Sequence, residues 1–506
     1  FNPGGVITPV CNAAGNEMVW NFGDQELTMS PGTTRYDFII DFVARVENTA
    51  FTNEGVVIRN GGGVAGGGTD VTASYVNEAG TTVVLDFAPV DIVVREPVIA
   101  LTKSFAVVNS DAADVLTVTV TATNNGTAAA YKLQVLDDLV GSDLSYIPGS
   151  AGGTDPPDNV DITTFGANQP IFSWNSVNPD YEIAPTAVKT FTFDVRVDTT
   201  AQPLEILDNT IQAKWDSLPG QTTALNASGT IGADGSALGL RNGALPNAAG
   251  AVNDYEAVAS ASTSVLPLTI SKTDLDTAVV PTIGAHKNFQ IEIALPEGTT
   301  NNLVVTDELI FSGLSYFLSN NAAFDVTYTF QNIATINGQP PTEAAFTAFP
   351  ADNASGSVVW NIGTVVTEEE NDTAVSAVNP VIRINYFARV NNDLLTDAGD
   401  TLQNSVTVNN SNGESAATES LLATTPAVTV LEPLLSADKS DANLTNTGVD
   451  PDSGDVHEYQ ITINNTGDTT AFDVNIGDTL PRQLLFDTAF TPTAEINGAA
   501  VAGFVS

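Results

Sequence analysis

The sequence predicts an all-β protein made of tandem antiparallel β-sandwiches with long inserted loops, arranged as a rod. Apolar and polar residues alternate in many short runs, as they do in half-buried strands. Glycine, asparagine and proline separate these runs and supply turn chemistry. The same order of short motifs returns about every 170 residues, whereas a simple sandwich needs only about 100 residues. We therefore expect the inserted loops to account for the excess.

The first half of each unit contains a lysine and an aspartate at matching positions. A short proline-containing lead-in precedes the lysine or lies close to it, and two alternating runs joined by a turn lead to the aspartate. The chain has seven lysines, and three of them occupy this one position. The lysines are Lys103, Lys272 and Lys439, and the aspartates are Asp137, Asp307 and Asp478.

The second half of each unit also recurs. A Trp-Asn step is followed by a variable loop, by a long alternating run that ends in Arg-Val, and by a strand that opens with asparagine. The tryptophans are predicted to anchor the cores, because a buried indole contributes a large apolar area. The tryptophans are Trp20, Trp174 and Trp360, and the asparagines are Asn53, Asn209 and Asn404.

The order of these motifs predicts four segments. Residues 1–96 carry the late motifs of a unit, residues 97–265 and 266–431 each carry a whole β-sandwich repeat, and residues 432–506 carry only early motifs. We expect residues 432–506 to form the N-terminal part of a split sandwich, completed by residues 1–96 of the next unit through donor-strand complementation. The partner is then the chain itself, either as a head-to-tail homopolymer or as the continuation of one giant chain.

Composition disfavours several classes of function. Sixty acidic residues against sixteen basic ones give a formal charge of −44, which opposes binding to nucleic acid and to anionic membrane surfaces. No apolar run is long enough for a transmembrane helix, so no membrane insertion is expected. Two histidines and one cysteine leave few groups for acid–base, zinc or thiol chemistry. We expect a protein that is not an enzyme.

The recurring lysine, aspartate and asparagine have two interpretations. One is a structural salt bridge, or a lysine whose ammonium group reaches solvent. The other is an intramolecular isopeptide bond, in which an unprotonated lysine amine attacks an asparagine carboxamide beside a buried carboxylic acid. Burial would lower the lysine pKa and raise the carboxyl pKa, as this reaction requires. The candidate sets are Lys103/Asp137/Asn209, Lys272/Asp307/Asn404 and Lys439/Asp478/Asn53, the last completed across the ends of the chain.

The motif order resembles the conserved surface-repeat domain of unknown function that occurs in large bacterial and archaeal exoproteins. The run from Tyr459 to Pro481 matches it best, whereas the middle unit has Leu295-Pro296-Glu297-Gly298 where Asn-Thr-Gly is expected. The resemblance implies immunoglobulin-like β-sandwiches with structural or adhesive roles and no catalytic activity. It also implies kinship with fimbrial domains that form isopeptide bonds.

An acidic loop is a candidate calcium site. Asp450, Asp452 and Asp455 place three carboxylates in a glycine-containing loop, and Ca²⁺ prefers oxygen ligands. The loop lacks the glutamate spacing of an EF-hand. The alternative is a solvated acidic surface. No other cofactor is expected.

Together these features predict a structural subunit, or one repeat period, of an extracellular filament, stalk or surface fibre. The alternative is a cell-surface adhesin or a carbohydrate- or calcium-binding module, with the variable loops contacting a glycan or another cell. Either function places the protein outside the cell or on its surface.

Overall fold

The computed structural model of the protein describes residues 8–11, 18–23, 39–44, 46, 52–61, 72–174, 181–219, 241, 243, 245–247, 255–309, 314–317, 325–351, 354, 356–368, 380–392, 396–411, 418–448 and 450–501. The chain divides into two compact units. The first comprises Phe1–Arg95, Thr222–Arg241 and Ala251–Asn253, and the second comprises Glu96–Gln221, Asn242–Gly250 and Asp254–Ser506.

The first unit contains short antiparallel hairpins. Its strands pair as β1 with β2, β3 with β6 and β4 with β5. Many of the large apolar side chains on β3–β6 are exposed, including Val57 and Ile92. The strands are β1 (Val10–Cys11), β2 (Met18–Val19), β3 (Val57–Asn60), β4 (Thr72–Val76), β5 (Thr82–Asp86) and β6 (Val90–Val93).

The second unit contains two β-sandwiches, the first of which lies between residues 99 and 265. Its strands are β7 (Ile99–Phe105), β8 (Asn109–Ser110), β9 (Val115–Asn124), β10 (Ala130–Asp138), β11 (Leu144–Tyr146), β12 (Asn159–Asp161), β13 (Ile171–Ser173), β14 (Glu182–Ile183), β15 (Val188–Val197), β16 (Ile206–Asp216) and β17 (Glu256–Val265).

Two sheets enclose the core of this first sandwich. One has the order β12-β13-β10-β16-β17-β8, with β14 beside β10, and the other has the order β11-β15-β9-β7. Strand β9 shows why the sequence folds this way: every second residue, starting from Leu116, is buried and the residues between them are more exposed. The two inner faces form one apolar cluster that includes Phe172, Trp174 and Phe193.

The second sandwich lies between residues 268 and 430 and repeats this arrangement. One sheet has the order β18-β19-β25-β21 with β22 beside β25, and the other has the order β23-β24-β20-β27-β28. Trp360 and Tyr386 are fully buried between them. The strands are β18 (Thr269–Asp274), β19 (His286–Ala294), β20 (Thr299–Glu308), β21 (Leu314–Phe317), β22 (Thr327–Gln331), β23 (Ile333–Ile336), β24 (Ser357–Thr367), β25 (Val381–Val390), β26 (Thr401–Leu402), β27 (Ser405–Ser411), β28 (Thr418–Thr424) and β29 (Val428–Thr429).

The last part of the chain forms two hairpins. Strand β30 (Leu435–Asn443) pairs with β31 (His457–Asn465), and β32 (Glu495–Ile496) pairs with β33 (Ala499–Ala500). The apolar residues that alternate along β31 remain partly or largely exposed.

These elements confirm the predicted all-β fold class. Among the described residues, helical structure is limited to a 3₁₀ turn at Glu343–Ala345. The described part of the chain has no helix that is long and apolar enough to cross a membrane. The predicted division at residues 96, 265 and 431 stays a prediction. The two buried apolar clusters lie inside the second and third predicted segments. The second compact unit, however, runs from Glu96 to Ser506 except for Thr222–Arg241 and Ala251–Asn253, and so spans the predicted boundaries at 265 and 431.

The Asn-Gly turns of the first and last repeats bind the lead-in segment of their own repeat. Asn124 accepts a hydrogen bond from the backbone N–H of Val98, and Thr127 N–H donates to Glu96 O. A Cβ on Gly126 would lie 2.3 Å from Glu96 O, so only glycine fits there. The last repeat has the same contacts at equivalent positions, since Asn465 accepts from Leu434 N–H and a Cβ on Gly467 would lie 2.3 Å from Glu432 O.

The turn of the middle repeat contacts the preceding sandwich instead. Gly298 has a φ of +126°, and a Cβ there would lie 2.4 Å from Ala201 O. The next residue, Thr299, donates its N–H to Ala201 O at 2.9 Å and its hydroxyl to Thr199 O at 2.8 Å. The departure of Leu295–Gly298 from the repeat motif therefore builds a joint between the two sandwiches.

Substitution of Gly298 by alanine should weaken this joint. The new Cβ clashes with a backbone carbonyl and also meets an unfavourable φ, so we expect a loss of about 1–3 kcal/mol in the stability of the second sandwich. Thermal unfolding followed by the fluorescence of the buried tryptophans would measure it.

The matched control is Gly284→Ala. Gly284 also has a positive φ, of +81°, but nothing lies within 4 Å of its Cβ position. This change should cost only the conformational strain, about 1–2 kcal/mol. Equal losses in the two variants would contradict the importance of the contact with Ala201.

Candidate lysine–aspartate–asparagine sites

The first site lies across the core of the first sandwich. Lys103 is on β7 in one sheet, and Asp137 is on β10 in the opposite sheet. The Lys103 Nζ lies 2.5 Å from Asp137 Oδ1, and neither side chain is exposed to solvent. The predicted pair is therefore fully buried, and the lysine does not reach solvent.

Asn209 completes this site. It lies on β16, which is hydrogen-bonded to β10, and it is itself fully buried. Its Nδ2 donates to Asp137 Oδ2 at 3.3 Å, whereas its Oδ1 has no hydrogen-bond partner in the structure. One carboxylate thus contacts both nitrogen atoms, the amine through one oxygen and the amide through the other.

The dry surroundings change the protonation equilibria of the first site. Burial lowers the pKa of Lys103, an effect that the charge and hydrogen bond of Asp137 oppose. Burial raises the pKa of Asp137, against the opposing influence of Lys103 and of the hydrogen bond from Asn209. The ring of Phe193 lies 5.8 Å from Lys103 Nζ and helps to exclude water. Both pKa shifts favour a neutral amine beside a protonated acid.

The second sandwich brings together the corresponding residues. Lys272 is on β18, Asp307 is on β20 in the opposite sheet, and Asn404 immediately precedes β27. The Lys272 Nζ lies 2.6 Å from Asp307 Oδ2, and both side chains are fully buried. The structure thus assembles both predicted sets that lie within one sandwich.

A tyrosine that sequence reasoning missed joins this second site. Tyr386 on β25 donates its hydroxyl to Asp307 Oδ2 and accepts hydrogen bonds from Lys272 Nζ and Asn404 Nδ2, each at 2.8 Å. When the sequences are aligned on Arg196-Val197 and Arg389-Val390, Tyr386 is equivalent to Phe193 of the first sandwich. The change from phenylalanine to tyrosine at this position is the feature of the sequence that could have indicated the role of Tyr386.

Burial has the same effect on the second site. It lowers the pKa of Lys272, opposed by the charge and hydrogen bond of Asp307. It raises the pKa of Asp307, opposed chiefly by Lys272 and also by hydrogen bonds from Tyr386 and Asn404. One carboxylate oxygen, Asp307 Oδ1, and the Asn404 Oδ1 have no hydrogen-bond partner.

The third set is only partly assembled. Lys439 Nζ lies 2.7 Å from Asp478 Oδ2, but these side chains are 41% and 35% exposed. The ring of Tyr459 lies 4.6 Å from the same Nζ. Asn53, the predicted third member, belongs to the first compact unit, whereas Lys439 and Asp478 belong to the second. The completion of this set stays a prediction.

A third buried lysine, Lys287, was not predicted from the sequence. Lys287 at the start of β19 lies 2.9 Å from Asp274 Oδ2 and donates to the backbone oxygen of Asp276 at 2.6 Å. It thereby fixes the loop that connects β18 to β19. The period-two pattern marks this position as inward-facing but does not indicate its partner.

The candidate calcium loop uses its carboxylates differently. Asp455 accepts hydrogen bonds from Asn443 Nδ2, Asn446 Nδ2 and the backbone N–H of Asp452 at 2.8–3.0 Å. In the described part of the chain, no group of three or more carboxylate, imidazole or thiol side chains is arranged to hold a metal ion. Calcium binding at Asp450, Asp452 and Asp455 has no geometric support and stays a prediction.

Comparisons with known proteins identify similar solved structures but no family. No family model matches the chain, and no curated protein matches it. The major pilin subunit BcpA of Bacillus cereus is 10% identical, with a TM-score of 0.25 over 72% of this chain and 85% of that one. The full-length major pilin SpaD of Corynebacterium diphtheriae is 13% identical, with a TM-score of 0.22 over 70% of each chain.

A third major pilin gives a similar result. The 35 kDa C-terminal fragment of GBS80 from Streptococcus agalactiae is 9% identical, with a TM-score of 0.23 over 64% of this chain and 90% of that one. The chain is therefore similar to major pilin subunits at a low level. Identities and TM-scores of this size do not assign a function.

Loss of one partner from a buried ion pair should destabilise the first sandwich strongly. Lys103→Met leaves Asp137 in the core without its hydrogen-bonding partner, and removing one partner from a buried pair costs about 3–5 kcal/mol. Urea unfolding, monitored by tryptophan fluorescence, would report the change in free energy of unfolding.

Lys439→Met serves as the control, because it removes the same charge from a partly exposed pair. We expect a loss of at most about 1 kcal/mol there. A Lys103→Met variant that loses no more stability than Lys439→Met would show that the buried pair has no special structural role.

Proposed function

We propose that this protein is a structural repeat of an extracellular or cell-surface filament, in which lysine–asparagine isopeptide bonds lock β-sandwich domains that assemble with like copies. The observation that carries the proposal is the buried lysine–aspartate–asparagine set, which occurs in both sandwiches. Its residues join strands that are distant in sequence and lie in opposite sheets. Substrate binding would need access for a ligand, and these sites have none.

The chemistry of the proposed bond follows from the contacts. The neutral amine of Lys103 attacks Cγ of Asn209, a C–N bond forms, the bond from Cγ to Nδ2 breaks, and ammonia leaves. Asp137 contacts both nitrogen atoms, so it can supply a proton to the leaving nitrogen and take one from the attacking nitrogen. The carboxyl group is regenerated, and no oxidant or other reactant is needed.

The bond would also relieve a physical problem of the fold. Two buried opposite charges are costly to remove from water, and their mutual attraction often fails to compensate for that loss. The reaction consumes the amine and leaves a neutral amide with a protonated acid beside it. It also ties an early strand to a late strand, which would strengthen a filament domain against pulling.

Intact-mass measurement of the full chain tests the bonds. Each bond should lower the mass by about 17 Da through loss of ammonia, and peptide mapping should recover Lys103 joined to Asn209 and Lys272 joined to Asn404. Asp137→Asn should prevent the first bond alone, after allowance for the mass of the substitution.

Asp138→Asn is the matched control, because Asp138 is the neighbouring carboxylate and hydrogen-bonds to Gln169 instead of a lysine. It should leave both bonds intact. A folded protein with an unchanged mass would refute the crosslinks and leave the two sites as buried salt bridges.

Assembly with like copies is supported by the last hairpin. Phe289 and Ile291 on β19 are 4% and 0% exposed, whereas the matching Tyr459 and Ile461 on β31 are 39% and 38% exposed. The same motif is thus buried in a whole sandwich and partly bare in the hairpin. In the described part of the chain, the apolar face of this hairpin therefore stays largely uncovered.

The first compact unit carries strands suited to cover that face. The run that starts at Asn53 matches the runs that start at Asn209 within β16 and at Asn404 just before β27. Val57 is 52% exposed, whereas the equivalent Ala213 and Val408 are fully buried. We propose that these strands, from another copy or from a further stretch of the same chain, complete the sandwich of residues 432–506 and bring Asn53 to Lys439.

Sedimentation and electron microscopy of the full chain test this assembly. A head-to-tail contact that does not close produces open filaments, so we expect species that lengthen with concentration. Ile461→Asp should block elongation, because a charge would enter the completed core.

The control is Val140→Asp, which places the same charge at an apolar residue that is 69% exposed in a loop of the first sandwich. It should not affect elongation. A wild-type chain that remains monomeric and protease-resistant over the whole concentration range would contradict the assembly.

A further inference from the structure

The second sandwich contains a hydroxyl group that contacts every polar residue of its site. Tyr386 Oη lies 2.8 Å from Lys272 Nζ and 2.8 Å from Asn404 Nδ2, and it donates to Asp307 Oδ2. It is fully buried. The two nitrogen atoms are the ones that would attack and leave in an isopeptide reaction. The hydroxyl therefore lies between the acid and the leaving group.

We propose that Tyr386 is a catalytic residue of the second site, where it relays a proton from Asp307 to the nitrogen of Asn404 that leaves as ammonia. This inference rests on the proposed isopeptide bond. It adds a second route by which the proton can reach the leaving nitrogen.

The proton movements balance. Lys272 begins as a neutral amine and Asp307 as an acid protonated at Oδ2. In that protonation state Asp307 donates to the Tyr386 hydroxyl oxygen instead of accepting from it, and the hydroxyl proton can turn towards Asn404 Nδ2. The amine attacks Cγ of Asn404, and Nδ2 becomes basic as its conjugation with the carbonyl is lost. Tyr386 gives its hydroxyl proton to Nδ2 and receives a proton from Asp307. The bond from Cγ to Nδ2 breaks and ammonia leaves. Asp307 recovers a proton from the former Lys272 Nζ, now the amide nitrogen, which lies 2.6 Å from Oδ2 in the structure.

The first sandwich achieves the same contacts without a relay. Phe193 occupies the position of Tyr386 and has no hydroxyl group. Asp137 instead reaches Lys103 Nζ with one oxygen, at 2.5 Å, and Asn209 Nδ2 with the other, at 3.3 Å. The two sandwiches thus present direct and relayed versions of one arrangement within a single chain.

The full chain therefore contains its own reference reaction. We would synthesise it in a cell-free system, stop samples at intervals in acid, and quantify the Lys103–Asn209 and Lys272–Asn404 peptides by mass spectrometry. In Tyr386→Phe the second bond should form about 100-fold more slowly, the usual lower range for loss of a proton-transfer group. The first bond should form at the wild-type rate in the same molecules.

Tyr328→Phe is the matched control. Tyr328 is another tyrosine of the second sandwich, and its hydroxyl accepts a hydrogen bond from Trp360 Nε1 at 3.2 Å. Its loss should leave both rates unchanged, so that a general effect of removing a core hydroxyl is separated from the relay. Protease resistance of each variant would confirm folding before rates are compared.

The outcomes separate the relay from the bond itself. If wild-type protein forms the second bond and Tyr386→Phe forms it equally fast or faster, the relay is wrong while the proposed bond stands. If folded wild-type protein forms no second bond, both are wrong for that sandwich. If Tyr386→Phe does not fold, the wild-type rates in D₂O decide: a relay that moves an extra proton requires a larger solvent isotope effect on the second bond than on the first, and equal effects would overturn it.

Discussion

A lysine and an aspartate that face each other across a dry core form the constraint on which this structure depends. Holding both groups there in charged form would cost several kcal/mol per ion, and even the neutral polar groups must be hydrogen-bonded in such a core. Here the compensation comes from short contacts, from an asparagine at the same carboxylate, and from aromatic rings that exclude water. The positions of strands β7, β10 and β16 are thereby fixed relative to one another, because a shift of one residue would turn these side chains towards solvent.

Much of this could be predicted from the sequence, because it depends on periodicity. Alternation along β9 and β15 identifies the inward faces without knowledge of their partners. The recurrence of lysine, aspartate and asparagine at one step of each repeat predicts that they occupy equivalent points of the fold, and in two of the three sets these residues lie together. Repetition within one chain supplies the comparison that an isolated domain would lack.

The remaining features depend on contacts between sheets, which no local pattern encodes. Tyr386 and Phe193 are both large, apolar at the ring and compatible with a buried strand, so alternation treats them alike; the hydroxyl acquires meaning only beside Asp307. Lys287 is inward-facing by pattern, yet its partners are Asp274 at the end of β18 and the backbone oxygen of Asp276 in the following loop, which no local pattern indicates. The Leu295–Gly298 turn departs from the repeat motif, and its reason lies in the neighbouring sandwich.

That turn has a consequence for how such a chain can change over generations. Tandem repeats are readily gained and lost by recombination when each repeat contacts its neighbours in the same way. The Gly298 turn is complementary to the backbone at Thr199 and Ala201, while the turns at Gly126 and Gly467 bind their own lead-in segments. Deleting the first sandwich would remove the surface that Gly298 fits. Moving the two sandwiches together would preserve the contact, so the two sandwiches form one structural module of this part of the chain.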